Sequence, residues 1–294
     1  MSIKSIAIVG GGEMGCEIAI QCAYSGFAVF VYDIAEDAHT AIKQRFERMI
    51  SVNTSNGTWS TKEAERTHAN LTITTELIDI ANVDLVNESV FESLKVKHDI
   101  WSKLATVCSE HTIFTTNSSS LRPSDFADST GRPERFAALH FHLKASRIVD
   151  VMNHGGTSIE VMETLEELVP KLGLIPLRID KENPEYVLNS MVIGLYYSAG
   201  KLLVNNISHV EDIDRCWMDL MKTKYGPCGM MDAVGLDTVT KVMLAKTDDE
   251  IAQKFALYLK TNYLDKGLYG LKTGKGFYTY PTPTYSQTGF IEGK

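Results

Sequence analysis

The chain has 294 residues, with 37 acidic and 29 basic side chains and a formal net charge of −8 at pH 7. This length predicts two domains, and the apolar share of 44% is ordinary for a chain that buries a sizeable core. The acidic balance and the lack of a long Lys/Arg run argue against nucleic acid as a partner, because phosphate binding needs clustered positive charge.

A glycine-rich turn joins the first predicted strand to the first predicted helix. The strand covers residues 5–9 and is followed by GGGEMG and an apolar helix. In this pattern Gly10 allows the tight turn, Gly12 lets a pyrophosphate approach the backbone, and Gly15 lets the helix pack closely on the strand. The phosphates of a dinucleotide would then meet the N-terminus of the helix.

The second predicted strand ends in an acidic residue. It covers residues 28–32 and is followed by Asp33, at about the distance after the glycines at which an acidic side chain binds the adenosine ribose. A carboxylate here favours NAD over NADP. A structural glycine turn with a solvated Asp33 is the alternative, but strand, helix and acid together favour an NAD site.

The rest of the chain changes character near residue 184. Before it, helical stretches are predicted at 36–52, 61–69, 94–110 and 158–172, and strands at 71–74, 85–86, 112–115, 136–140 and 175–179. After it, helices are predicted at 186–205, 211–221, 236–244 and 248–260. We therefore predict an α/β chain with an N-terminal Rossmann-type doubly wound domain, residues 1–183, and a smaller all-α C-terminal substrate and dimerisation domain, residues 184–294.

Polar side chains follow two of the predicted strands. Ser118, Ser119 and Ser120 come after one strand, and His140 comes at the end of another. Open α/β sheets bind ligands at the carboxyl ends of their strands, where a hydroxyl and an imidazole could bind one substrate oxygen and move its proton. Taken alone, a serine run is more often a turn or helix cap, and a lone histidine is commonly structural.

Several segments, in their order and spacing, resemble the L-3-hydroxyacyl-CoA dehydrogenase family over essentially the full chain. They are GGGEMG, Asp33, NESVFESLKVK (87–97), TTNSSSL (115–121), RFAALHF (135–141), YVLNS (186–190), VGLDT (234–238) and KTGKGFY (272–278). Within that family, YVLNS and the tail are most similar to the diketoreductase-like branch. The resemblance implies an NAD-dependent oxidoreductase of fatty acid metabolism that interconverts a 3-hydroxy and a 3-keto group.

The resemblance also implies roles for individual side chains. His140 matches the general acid/base, and Ser119 matches the serine that binds the substrate oxygen. Asn189 matches an asparagine that helps to hold the substrate. The residues implied on the cofactor side, besides the glycines and Asp33, are Glu92, Lys97, Asn117 and Lys272.

The chain departs from the family pattern after the histidine. Family members typically read HFFNP there and carry a glutamate twelve residues later, whereas this chain reads HFHLKASRIVDVM with Met152 at the glutamate position. A deletion of two residues would align Asp150 with the glutamate. We expect Asp150 to orient the imidazole, because a buried imidazolium without a counter-charge is costly. A solvated aspartate at the end of a strand is the alternative for Asp150, and His142 is a rival to His140 as acid/base.

The substrate class stays open at this point. Loss of FNP places Leu143 where the family has an asparagine, so the substrate is either an acyl-CoA thioester or a free keto acid or ester. The predicted helical hairpin at 36–69 occupies the family's CoA position, but its basic residues could equally be a solvated face.

Two other functions are weighed against this one. A catalytically impaired NAD-binding sensor or structural protein is opposed by the retention of Ser119, His140 and Asn189 together. A 2-hydroxy acid or 6-phosphogluconate-type dehydrogenase would share the first domain but would need a different catalytic set.

Apolar stretches at 191–197 and 230–234 exceed what one small helical layer buries, which predicts a homodimer through the second domain. The first residues lead directly into a strand and no apolar run approaches the length of a membrane span, so we expect a cytoplasmic protein without membrane contact. Five cysteines without a C-x-x-C pair predict reduced thiols, and the histidine spacing predicts no metal site.

Overall fold

The computed structural model describes residues 3–35, 38–143 and 146–293, so the first two residues of the helix predicted at 36–52 lie outside the described part. Two compact units divide the chain, residues 1–187 and 188–294. The predicted domain boundary falls just before this division. The predicted α/β class, with a Rossmann-type unit followed by a helical unit, is confirmed.

One sheet forms the framework of the first unit. Its strands are β1 (Ser5–Val9), β2 (Ala28–Tyr32), β3 (Leu71–Thr74), β4 (Leu85–Glu88), β5 (Ile113–Thr116), β6 (Phe136–Phe141), β7 (Ile148–Met152) and β8 (Ile175–Ile179). Their spatial order is β3-β2-β1-β4-β5-β6-β7-β8, and each neighbouring pair is parallel except β6 and β7, which are antiparallel. The order reverses between β1 and β4, where a doubly wound sheet leaves a ligand crevice outside the strands' carboxyl ends.

Helices cover both faces of this sheet. They are α1 (Glu13–Tyr24), α2 (Ala38–Ser55), α3 (Thr61–Ala69), α4 (Leu94–Val107) and α5 (Ile159–Lys171). Alternate residues of β1 face opposite sides: Ile6 and Ile8 pack in the core with α1 and α5, and Ala7 and Val9 pack in the core with α4. The segment from Ile6 to Val9 of β1 is therefore buried and apolar on both faces, as in parallel sheets covered on two sides.

The second unit is helical. Its helices are α6 (Tyr186–Val204), which begins in the first unit, α7 (Val210–Met221), α8 (Pro227–Val234), α9 (Leu236–Leu244) and α10 (Glu250–Asn262). Met231, Phe255 and Leu259 are buried at the centre of its core. The tail after α10 is attached through Asp232, whose carboxylate accepts hydrogen bonds from the backbone N–H groups of Phe277 and Tyr278, both at 2.9 Å.

Helix α6 is unusually apolar. Among the described residues it is the one helix whose length and composition would allow it to cross a membrane, although the sequence analysis predicts no span. Only 22% of its apolar stretch is buried inside the chain, while Tyr196, Ala199 and Leu203 contribute to the core of the second unit. Much of this helix therefore presents apolar side chains outward.

The sequence analysis gives no bounds for a strand at 148–152 or for a helix at 227–234, where the structure has β7 and α8. In the structure, proline occupies the first turn of α8, where its missing N–H costs nothing. The cysteines are all free, as predicted, and four of them are buried.

Candidate active site

Of the four glycines in the turn between β1 and α1, Gly10, Gly11 and Gly15 are crowded and Gly12 is open. Gly10 has a φ of +108°, and a Cβ there would lie 2.7 Å from the carbonyl oxygen of Ser89. A Cβ on Gly15 would lie 2.0 Å from the carbonyl oxygen of Gly10, so α1 packs too closely for a side chain. No described heavy atom lies within 4 Å of the Cβ position of Gly12. The backbone at Gly12 is therefore open to an incoming phosphate.

A cleft of about 610 Å³ lies beside this turn, and its lining includes Gly12, Asp33 and Phe91. The Asp33 carboxylate accepts hydrogen bonds from the backbone N–H groups of Gly11 at 2.8 Å and Ala35 at 3.2 Å. These bonds fix the carboxylate at the end of β2, on the edge of the cleft.

The cleft fits a dinucleotide, and NAD in particular. The N-terminus of α1 offers backbone N–H groups and a positive dipole end to the pyrophosphate beside the open Gly12. The Asp33 carboxylate keeps lone pairs for ribose hydroxyls, and its charge would repel the 2′-phosphate of NADP. These residues would hold the adenosine and pyrophosphate parts of the cofactor.

Ser119 in the loop after β5, His140 near the end of β6 and Asp150 in β7 form a hydrogen-bonded line. The Ser119 hydroxyl oxygen lies 3.2 Å from Nε2 of His140, and Nδ1 of the same ring lies 3.1 Å from Oδ2 of Asp150. Ser119 is exposed, His140 is 6% exposed and Asp150 is fully buried. One ring nitrogen thus faces a reachable hydroxyl and the other a buried carboxylate, as in a general base oriented by an acid.

Strand register brings the carboxylate to the histidine. In the antiparallel pair of β6 and β7, His140 lies directly opposite Asp150, and Met152 lies opposite Ala138. Opposite residues share a face of the sheet with Cβ atoms about 5 Å apart. The position of the family's glutamate therefore carries a buried apolar side chain here, and Asp150 takes the place beside the ring. Residues 144–145 of the shortened connection lie outside the described part.

The Asp150 carboxylate is charged at neutral pH. Burial raises its pKa, but the hydrogen bonds from His140 and His142 outweigh burial and lower the pKa of Asp150 below its ordinary value. A negative charge therefore stands beside Nδ1 of His140, where it stabilises an imidazolium formed by protonation at Nε2.

The Glu92 carboxylate fixes the loop that carries Ser119. Its Oε1 atom accepts hydrogen bonds from the backbone N–H groups of Ser119 at 3.1 Å and Ser120 at 3.0 Å, and from the Ser118 hydroxyl at 2.5 Å. Burial opposes ionisation, but the Ser118 hydrogen bond and the charge of Lys97 lower the pKa of Glu92 to about 2. A charged acid thus organises the serine loop.

Lys97 is buried and forms ion pairs with Glu92 and with Glu88. Its Nζ lies 2.7 Å from Oε1 of Glu88 and 3.3 Å from Oε2 of Glu92. Glu88, the last residue of β4, also accepts a hydrogen bond from the Thr116 hydroxyl at 2.8 Å. Because Lys97 is 1% exposed, its ammonium serves the two glutamates. Direct contact of Glu92 or Lys97 with the cofactor stays a prediction.

The remaining predicted residues lie in different places. The Asn117 side-chain oxygen accepts a hydrogen bond from the backbone N–H of Phe141 at 2.8 Å, which joins the ends of β5 and β6. Asn189 is half-buried near the start of α6, and Lys272 pairs with Asp237; both belong to the second unit. Contact of Asn117, Asn189 and Lys272 with cofactor or substrate stays a prediction.

Two side chains of the site were missed in these roles by the sequence analysis. His142 Nε2 lies 2.7 Å from Oδ2 of Asp150, and the Tyr186 ring lies 4.6 Å from that of His140. The Tyr186 hydroxyl donates to the carbonyl oxygen of Ser118 at 2.6 Å. The H-x-H spacing is a signal for His142, because alternate strand residues share a face. Tyr186 offers no comparable signal, since its contacts arise from the tertiary fold.

Two sequence families match the chain. The model described as 3-hydroxyacyl-CoA dehydrogenase, NAD binding domain, matches residues 5–183. The model described as 3-hydroxyacyl-CoA dehydrogenase, C-terminal domain, matches residues 186–280. The two matches follow one another along the chain in the order of the two structural units.

Individual relatives align along almost the whole chain. The mitochondrial hydroxyacyl-coenzyme A dehydrogenase of Rattus norvegicus is 32% identical over 289 residues, covering 95% of this chain and 91% of the relative. A probable 3-hydroxybutyryl-CoA dehydrogenase of Bacillus subtilis is 28% identical, covering 97% of this chain and 100% of the relative.

Solved structures with the same fold include two enzymes of this type. A diketoreductase described as acting on dicarbonyl compounds is 38% identical with a TM-score of 0.87, covering 95% of this chain and 100% of its own. The (S)-3-hydroxybutyryl-CoA dehydrogenase of Ralstonia eutropha is 26% identical with a TM-score of 0.86, covering 96% of this chain and 100% of its own.

Proposed function

Because the chain belongs to the 3-hydroxyacyl-CoA dehydrogenase family and is an NAD-dependent oxidoreductase acting on CH–OH groups, we propose that His140 is the acid/base in its interconversion of 3-hydroxy and 3-keto groups. The observation that carries this proposal is the line from Ser119 through His140 to Asp150. It joins a reachable hydroxyl, an acid/base and a charged carboxylate, which a protein that only binds NAD would not need.

Each side chain has a defined task in the oxidation direction. The Asp150 carboxylate keeps the imidazole proton on Nδ1, so that Nε2 of His140 takes the proton of the substrate hydroxyl. The Ser119 hydroxyl donates a hydrogen bond to the same substrate oxygen. Bound NAD would supply the acceptor for the hydride from the substrate carbon. In reduction, the His140 imidazolium returns the proton to the oxygen.

For the substrate we propose a free 3-keto acid or ester in preference to a CoA thioester. The three arginines of the hairpin formed by α2 and α3 are engaged within the protein, while its Lys43 and Lys62 are exposed. Arg45 and Arg48 pair with Glu13 at 3.4 and 3.1 Å, and Arg66 donates to the carbonyl oxygen of Tyr24 at 2.9 Å. These contacts attach the hairpin to α1 and engage three of the cations that a CoA phosphate could otherwise meet.

Two further observations support this substrate class. Leu143 stands where the family pattern has an asparagine, which removes a hydrogen-bonding group beside the histidine. The chain also resembles a diketoreductase in sequence and structure. The CoA thioester remains the second candidate, because the relatives named above act on hydroxyacyl-CoA or 3-hydroxybutyryl-CoA.

The test is NADH oxidation by the purified protein with acetoacetyl-CoA, a free 3-keto ester and a 3,5-diketo ester, with NADPH as cofactor control. We expect higher kcat/KM with the free ketones, and loss of activity in His140→Ala. Preference for the thioester would overturn the substrate proposal alone. Full activity of His140→Ala would overturn the assignment of the acid/base.

We also propose that the chain forms a homodimer through its second unit. An apolar groove of about 300 Å³ is lined by residues of α6 and α7, among them Leu195, Leu202, Trp217, Leu220 and Met221. Leu220 is 71% exposed at this groove. Apolar surface of this kind on a charged, acidic protein marks an interface, and the outward apolar side of α6 continues it, so a second copy of the same surface is the occupant we propose.

Sedimentation velocity at micromolar concentration tests the dimer. We expect a dimer for the wild type and a monomer for Leu220→Glu, because a buried unpaired charge opposes association. Leu257→Glu is the matched control, since Leu257 is 63% exposed on α10 outside the groove. A wild-type monomer, or a Leu220→Glu dimer, would contradict the proposal.

A further inference from the structure

His142 lies two residues beyond His140 and shares its carboxylate. Its Nε2 lies 2.7 Å from Oδ2 of Asp150, the same oxygen that faces Nδ1 of His140 at 3.1 Å. The two imidazole rings meet edge to face with centroids 4.4 Å apart. One buried carboxylate oxygen thus accepts a hydrogen bond from each of two histidines.

The orientation of Asp150 depends on few donors. Within the described part of the chain, the two imidazoles are its hydrogen-bond partners, and its Oδ1 atom is buried without one. The shorter of the two bonds comes from His142. Aspartate is also one methylene shorter than the glutamate of the family pattern, so its approach to His140 needs more support from its surroundings.

The two hydrogen bonds determine where each ring carries its proton. For His140 to act at Nε2, its proton must lie on Nδ1, and His142 donates from Nε2. Both rings are then satisfied in the neutral form around a charged carboxylate. Among the described residues, the ionisable groups near this cluster include Tyr186, whose ring lies 4.6 Å from that of His140, and Glu92, which holds the loop of Ser119. Glu88 and Glu182 act on the same Tyr186 through their charges.

We propose that His142 is a positioning residue for the reaction, which holds Asp150 so that the carboxylate keeps the proton of His140 on Nδ1 and leaves Nε2 to the substrate oxygen. This proposal rests on the function proposed above. A glutamate, as in the family pattern, is long enough to reach the catalytic histidine without help. In this chain the acid is the shorter Asp150, and His142 holds its carboxylate in place.

Three variants test this role by steady-state kinetics. His142→Phe removes the donor and keeps an aromatic ring, and we expect it to lower kcat about 10- to 100-fold, since misplacement of a catalytic group by 1 Å costs rates of this order. His142→Gln keeps an N–H donor and should retain most of the activity. The double variant His142→Phe, Asp150→Glu should recover activity, because the longer acid reaches His140 unaided. Wild-type kcat in His142→Phe would overturn the proposal.

The pH profile separates positioning from a general loss of structure. Without the His142 hydrogen bond the pKa of Asp150 rises, so the acidic limb of the oxidation profile of His142→Phe should move to higher pH. A general structural defect would lower the rate by the same factor at every pH and would not move the acidic limb. That result would count against the proposal. Unchanged NADH affinity would show that the variant is folded.

A metal at the same place is the competing outcome. His140, His142 and Asp150 offer ligand atoms within 4.8 Å of one another, a spacing that could hold a metal ion. We expect activity to be insensitive to EDTA. Activity lost with EDTA and restored by Zn²⁺ would overturn the positioning role.

A readout without turnover distinguishes this proposal from the proposed function. Imidazole ¹⁵N spectra report the tautomer of each ring, and we expect Nδ1–H on His140 in the wild type and a mixture in His142→Phe. If no keto substrate reacts but this pattern is found, the proposed function fails and the positioning of the proton stands. Nε2–H on His140 in the wild type would overturn the positioning itself.

Discussion

At the scale of single residues, the charge on Asp150 decides which nitrogen of His140 is free. Replacing Asp150 by Asn removes the charge and lets the amide hydrogen-bond to the wrong tautomer, so we expect kcat to fall by about 10³- to 10⁴-fold. NADH affinity should stay unchanged, because the carboxylate lies outside the cofactor cleft. Steady-state kinetics and NADH fluorescence titration measure the two effects. Retention of kcat within an order of magnitude would contradict the role given to the charge.

The same residues show how far a sequence predicts a site. Ser119 and His140 are predictable because Ser119 follows β5 and His140 lies near the carboxyl end of β6, and the carboxyl ends of parallel strands meet at one edge of the sheet. Asp150 is predictable once a two-residue deletion is allowed. The hydrogen bond of His142 and the ring contact of Tyr186 depend on strand register and on packing between distant segments, which local patterns do not encode.

At the scale of elements, two glycines of the turn between β1 and α1 have different roles: Gly15 allows close packing, and Gly12 allows ligand binding. A Cβ on Gly15 would overlap the Gly10 carbonyl oxygen, so Gly15→Ala should lose about 1–3 kcal/mol of the free energy of unfolding as well as NADH affinity. Gly12→Ala meets open space, so it should lose NADH affinity and under about 1 kcal/mol of stability. Denaturant unfolding and NADH titration measure both.

Equal stability of the two variants would contradict this division of tasks. So would an unchanged NADH affinity in Gly12→Ala, since the phosphates would then not approach the backbone there.

The helices and strands that are predicted well from sequence are those with a clear hydrophobic pattern or with residues that mark their ends. β1, β2, β3 and β8 and the helices α3 and α9 match their predicted bounds, because apolar runs and capping residues delimit them. The bounds of β7 were not predicted, since its central Asp150 is stabilised by partners on β6 and nearby, and a pattern within one segment does not reveal a partner on another. The strand that carries the orienting carboxylate was thus the hardest to predict.

At the scale of the whole molecule, the two units should respond to acid in opposite ways. In the first unit the pKa values of Asp150 and Glu92 are lowered, so their stabilisation is lost as pH falls below about 4. In the second unit burial raises the pKa values of Asp214 and Asp232, so the contribution of these two buried groups to stability increases as pH falls from the raised values toward about 4. The pKa values of Asp237, Asp249 and Glu250 are lowered, but these groups are at or near the surface, where the solvent weakens their contribution.

Differential scanning calorimetry between pH 7 and pH 3 measures this difference. We expect the transition of the first unit to move to lower temperature relative to that of the second as pH falls. Glu92→Gln should weaken the pH dependence of the first unit, because Gln does not titrate. Transitions that move together, in the same direction and by the same amount, would contradict the prediction.

The direct pairing of His140 with Asp150 across two antiparallel strands also limits how such enzymes can evolve. Side chains alternate with a period of two along a strand, so a shift of β7 by one residue would turn its acid to the opposite face of the sheet. The connection after the histidine can therefore change in length during evolution while the acid stays beside the imidazole under one condition. The register of β7 against β6 must shift by an even number of residues, or a β-bulge must absorb the difference. The difference between a glutamate twelve residues after the histidine and an aspartate ten residues after it is such an even step.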